Sequence, residues 1–193
     1  MADIATVNPG GPARLAEILS RINRAIAILA GVALLATVVL ILVEIVLRQT
    51  SVGSIGGSDE ISGYVMAGVA TWGFAYALTE RAHVRIDILQ SRLPLAGKGL
   101  FDLMALASLF AIALTVSIYA WEVLAKTLAR DSHANTPLGT PLWIPQSIWF
   151  GGWVWLAVVS GLLLACVAIL TAKREWETVR AIAGGGTETG DLT

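Results

Sequence analysis

Charge is what this 193-residue chain has least of: 14% of its residues are Asp, Glu, Lys or Arg, against about 25% in a soluble globular domain. Four long runs, Ala25 to Val43, Ile61 to Leu78, Leu103 to Trp121 and Ile148 to Leu170, hold no Asp, Glu, Lys, Arg or His at all. That excludes a soluble fold, and it argues against an autonomous pump, transporter or membrane enzyme, which keeps an ionisable group inside the bilayer. One cysteine, Cys166, leaves no intrachain disulfide, no CxxC pair and no thiolate metal cage, so it reads as a small apolar filler. Two histidines, both outside the runs, exclude a cytochrome b, and the missing cysteine pairs exclude a quinone-linked thiol oxidase. A formal net charge of −1 removes nucleic acid from the possible partners. No enzyme activity, cofactor or metal site is expected.

What the chain does have is hydrophobic length. At 56% hydrophobic residues, with each run long enough to cross a core of ~30 Å at ~1.5 Å per residue, it reads as an all-α integral membrane protein. Spans are expected at about 25–46, 61–79, 100–121 and 147–170, forming one four-helix membrane domain over 25–170. Residues 1–24 form an amphipathic lead-in and 171–193 a mostly disordered tail entered through Gly184-Gly185-Gly186. The first run exceeds the ~7–15 residues of a signal-peptide core, so it is expected to remain as a span.

Lys and Arg set the orientation. Three precede the first run, one follows it, four lie in the next loop, two in the next and three after the last, so ten of thirteen share the side of both termini. The positive-inside rule puts both ends in the cytoplasm. Trp121, Trp143, Trp149 and Trp153 near the outer ends of spans three and four, and Trp176 past the inner end, fit interfacial anchoring. Leu15, Ile18, Leu19, Ile22 and Ile26 recur at helical spacing among Arg14, Arg21 and Arg24. Such a helix lies on the cytoplasmic surface or runs straight into span one, its arginines near anionic membrane lipids.

Glu44 and Arg48, four apart at the end of span one, suit an end-of-helix ion pair that snorkels to water, with a substrate carboxylate as the alternative. Gly53, Gly56 and Gly57 form the turn and Ser58 can cap span two, where Asp59 and Glu60 meet the positive end of the helix dipole. Span two is built on small residues, with Gly63, Ala67, Thr71 and Ala75 spaced by four. Small residues let helices approach closely, so span two is the interior helix or the one that meets a partner. The loop Glu80 to Leu89 is too apolar for a linker and is predicted to form a cytoplasmic surface helix ended by Pro94, with His83 and Asp87 four apart as a hydrogen-bonded pair. A zinc site needs more ligands than that pair supplies. Pro137, Pro141 and Pro145 cannot continue a helix. Their segment, with Trp143, is an extended or turned strip in the outer headgroup layer, either a docking surface or a rigid re-entry into span four.

Glu44/Arg48, the acidic start at Asp59 and Glu60, the Ala75 to Asp87 stretch with His83-Val84-Arg85-Ile86-Asp87, and the Pro137 to Gly151 entry together resemble the small membrane subunit of the tripartite ATP-independent periplasmic (TRAP) transporters, the DctQ-like family. The resemblance covers nearly the whole chain. It implies a bacterial inner membrane protein, partnered with the large TRAP permease subunit and a periplasmic solute-binding protein in the ion-gradient-driven uptake of a carboxylate-type solute. It further implies that this subunit is a scaffold, with no substrate or ion site of its own. As an interface it points to Glu44, Arg48, Glu60, Trp72, His83 and Asp87. Two rivals keep the same frame: a stand-alone four-span exporter, which would need a carboxylate well inside a span, and a structural tetraspan protein unrelated to transport.

Overall fold

The computed structural model describes residues 11–50, 53–80, 94–173, 175 and 178–179. Four helices carry the chain: α1 (Gly11–Gln49), α2 (Ser58–Thr79), α3 (Leu95–Ala129) and α4 (Trp143–Ala172). All four are long and apolar enough to cross a membrane. Among the described residues there is no strand, only an isolated bridge between His133 and Pro141. The predicted surface helix and the His83/Asp87 pair lie outside the described residues, as do Trp176 and residues 180–193.

The lead-in does not lie flat. It is the first part of α1, whose 39 residues amount to ~58 Å of helix, about twice a hydrocarbon core. Proline explains where α4 begins, because Pro145 sits in its first turn, where a missing N–H leaves no bond unmade. The cap of α2 differs from expectation. Gly57, not Ser58, is the N-cap, in left-handed conformation at φ 86°. A Cβ there would collide with the Leu138 side chain, so glycine is required both by φ and by space. Ser58 instead is buried as the first helical residue.

The helices do not close into a ring. α1 packs on α2, α2 on α4 and α4 on α3, while α1 reaches α4 at only a few points. The result is an open row, α1–α2–α4–α3, in which small-residue α2 lies between two neighbours. α4 is the most enclosed helix, burying Leu156, Val159, Leu163, Val167 and Leu170. These join Leu19 of α1, Ala75 and Leu78 of α2, Leu106 and Ala113 of α3, and Val179 in one core. Val179 is thus held in the core rather than leaving it with the tail. Trp153 also turns inward, its ring 5.5 Å from Phe74 of α2, and Trp121 stacks 5.7 Å from Phe150.

Helix α1 is attached differently. Among its described side chains the buried ones are Leu19, Asn23, Thr37 and Glu44, three of them polar. The large side chains Leu29, Val32, Leu35, Val39 and Val46 all remain exposed to the surroundings. In lipid such residues cost nothing, because the tails are as apolar as leucine.

Candidate partner interface

At one end of the row, two carboxylates bind the two loops. Glu44 is 3% exposed, unlike a side chain that snorkels to water. Its Oε1 accepts from Arg48 Nε at 2.6 Å and Ser54 Oγ at 2.7 Å, and its Oε2 from the Ile55 N–H at 2.8 Å. Charge-assisted bonds of this length are stronger than neutral ones, and they fold residues 53–57 back over the end of α1. Arg48 is the exposed member, its side chain 56% accessible. The i,i+4 ion pair expected from the sequence is therefore present, and its carboxylate is occupied by the turn as well.

Glu60 does the same for the second loop. One oxygen accepts from Tyr64 Oη at 2.6 Å and the other from the Thr136 hydroxyl. The proline segment is thereby joined to the head of α2. It is not an extended strip: the Ala134 N–H donates to Thr140 O at 2.9 Å, the Leu142 N–H to Ser132 O at 3.0 Å, and the Gly139 N–H closes a turn on Thr136 O at 3.0 Å. Pro137 and Pro141 sit in this small hairpin, Pro137 exposed at the tip and Pro141 opposite His133. Trp143, the first residue of α4, stays exposed. Leu138 reaches across to cover Gly57, so the two loops form one connected cap.

Within the row, Trp72 donates its indole N–H to Ile148 O at 3.0 Å and holds α2 to α4. Gly63 and Ala67 do not join that contact. Gly63 is exposed, with nothing within 4 Å of the place a Cβ would occupy, and Ala67 is half-buried. The buried face of α2 is Gly68, Thr71, Ala75 and Leu78 instead. Gly63, Met66, Ala70 and Phe74 face outward.

Sequence reasoning missed the glycines of α4 and two polar residues. Gly152 lies against Thr71 and Gly161 against the Phe110 ring, a signal legible only once the helix that crosses them is known. Asn23 is 0% exposed inside the amphipathic lead-in segment. Its seven-residue recurrence with Ala30, Thr37 and Glu44 is present in the sequence and marks a small and polar seam. Asp102, 1% exposed just ahead of the third apolar run, is likewise engaged with a partner.

A groove of ≈ 390 Å³ lies between α1 and α2, walled by Ile26, Leu29, Val65, Val69, Trp72 and Ile148. Its lining carries no charged group; the Tyr64 hydroxyl and the Trp72 indole at its wall are bonded to Glu60 and to Ile148 O. Among the described residues no cluster of His, Cys, Asp and Glu could hold a metal ion. The polar groups here join helices and loops of this chain.

No curated protein and no solved structure matches the chain. Residues 37–181, from the middle of α1 past the end of α4, match the family described as tripartite ATP-independent periplasmic transporters, DctQ component. The chain belongs to that family, and is a multi-pass membrane protein that serves as the small component of a TRAP transporter.

Proposed function

We propose that this subunit is a scaffold: it stands beside the large permease in the bacterial inner membrane, both termini cytoplasmic, and neither binds nor moves solute. The large subunit then carries the ion and substrate sites, and a periplasmic binding protein delivers a carboxylate-type solute for ion-gradient-driven uptake. The observation that carries this reading is that Asn23, Glu44 and Glu60 are engaged by other groups of this chain, while the groove beside them is apolar. A solute site needs polar groups facing the solute, not each other.

The partner-facing surface is proposed to be the outward side of α2 with the loop cap at its head. Large residues on α1 suit lipid, whereas Gly63, Ala67 and Ala70 allow a helix to approach closely. Glu44, Arg48, Glu60, Pro137, Pro141 and Trp143 belong to the cap by position, and His83 and Asp87 are proposed for the interface on the resemblance alone. Enzyme activity has no part in this reading.

Purification in mild detergent tests it. A large membrane subunit should co-purify with this chain, and liposomes should take up solute only with that subunit, the binding protein and an ion gradient present. Uptake by the isolated chain would overturn the scaffold assignment.

A further inference from the structure

Helix α1 sits at the edge of the row, and apolar burial does little to define where it stands. Among its described side chains only Leu19 is both apolar and buried, with Leu15 and Ala16 partly buried beside it, and the groove separates its middle from α2 along one side. Lipid and Leu-rich helix surfaces are nearly equivalent surroundings for each other, so an apolar contact specifies neither the rotation nor the axial position of an edge helix. Directional bonds do. Asn23 donates Nδ2–H to Ala75 O at 3.0 Å and to Thr79 Oγ1 at 3.3 Å, both on α2, and accepts from Trp155 Nε1 of α4 at 2.8 Å. One fully buried amide thus joins three helices.

We infer that Asn23 is the positioning residue of α1, setting its rotation and axial register against α2 and α4. The amide works because it both donates and accepts: an aliphatic side chain could make none of the three bonds, and a serine could not reach both neighbours. The surrounding contacts agree in direction. Ser20 Oγ donates to Glu80 Oε1 at 3.3 Å, and Arg24 lies 3.6 Å from the same oxygen, but these groups are solvent-accessible and pairs of that kind contribute little. The buried amide is the bond set that water cannot replace, and a single polar residue at a helix seam is a known way of specifying register. All three bonds lie within this chain and do not depend on which partner it meets.

Spin-label distances on the full chain in lipid nanodiscs test it, in a Cys166→Ala background. Labels at Ile18→Cys and Ile169→Cys report α1 against α4, and labels at Met66→Cys and Ile169→Cys report α2 against α4. Asn23→Leu should replace the single α1–α4 distance by a broad distribution and leave the α2–α4 distance unchanged. Trp155→Phe, a milder change that keeps an aromatic ring, should broaden the first distribution less and leave the second alone. An unchanged α1–α4 distance in Asn23→Leu would overturn the inference. So would equal broadening of both pairs in the two variants, which would show loss of the fold instead of loss of position.

Discussion

A Cβ added at Gly152 would lie 2.6 Å from Thr71 Cβ and 3.0 Å from the Thr71 carbonyl carbon, so α2 and α4 cross with backbone nearly against backbone. The Thr71 hydroxyl stands at the crossing itself, the nearest atom to that Cβ position, while donating to Ala67 O and Gly68 O of its own helix at 3.0 and 3.1 Å. Those bonds satisfy the hydroxyl within α2, so it can sit directly over Gly152, where only a glycine leaves room for it. Gly152→Ala is expected to destabilise the chain by ~1–3 kcal/mol, the usual cost of overpacking a site that cannot relax. Gly161→Ala should cost less, because it meets the Phe110 ring, a side chain able to shift. Thermal denaturation in detergent measures both, and equal stability of Gly152→Ala and wild type would contradict the crossing.

Glu44→Ala should release the turn over α1, since the carboxylate holds both the Ser54 hydroxyl and the Ile55 N–H. The readout is amide hydrogen exchange at Ile55, expected to become fast. Arg48→Ala should leave it largely protected, because Arg48 bonds to Glu44 and not to the turn. The reverse ranking would mean that the exposed arginine organises this end of the helix.

Loss of the Thr136 hydroxyl in Thr136→Val, combined with Tyr64→Phe, should weaken the join between the hairpin around Pro137 and the head of α2, leaving the Thr140 bonds to Glu60 and the Leu138 contact to hold it. Limited proteolysis near Pro137 should then accelerate, and Leu138→Ala should add to the effect. No change in cleavage rate would indicate that the hairpin is held from elsewhere.

Gly63→Leu separates internal packing from partner packing. Open space surrounds that position, so the isolated chain should keep its stability to within ~0.5 kcal/mol, as surface substitutions do. Co-purification of the large subunit should fall sharply. Ala67→Leu, half-buried, should show the same loss with a small stability cost. Retention of the complex in both variants would move the interface to another face.

Four long apolar helices and the small-residue character of α2 were legible in the amino-acid order, because each depends on local composition: run length, charge exclusion and the density of small residues. The Glu44/Arg48 pair was legible because i,i+4 spacing on a helix brings side chains together regardless of the rest of the fold. Its burial was not, since Ser54 and Ile55 close over it only when the turn folds back. The amphipathic lead-in around Asn23 could lie on the surface or run straight into span one, because hydrophobic periodicity alone does not distinguish an interfacial helix from one running into a neighbour. Gly63 was grouped with Thr71 and Ala75 on spacing. Helix packing used the adjoining stripe through Gly68 instead, and left Gly63 outside.

By itself, the sequence determined that the chain is a membrane protein of four helices with no ionisable group in their central runs, since transfer into lipid is a property of each segment alone. Tertiary structure decided the order α1–α2–α4–α3, the choice between the faces of α2, and the convergence of Asn23, Ala75, Thr79 and Trp155. Those outcomes depend on which helices meet. Within a bilayer, where apolar surfaces are nearly interchangeable, that is settled by close packing and a few directed hydrogen bonds between residues far apart in the chain.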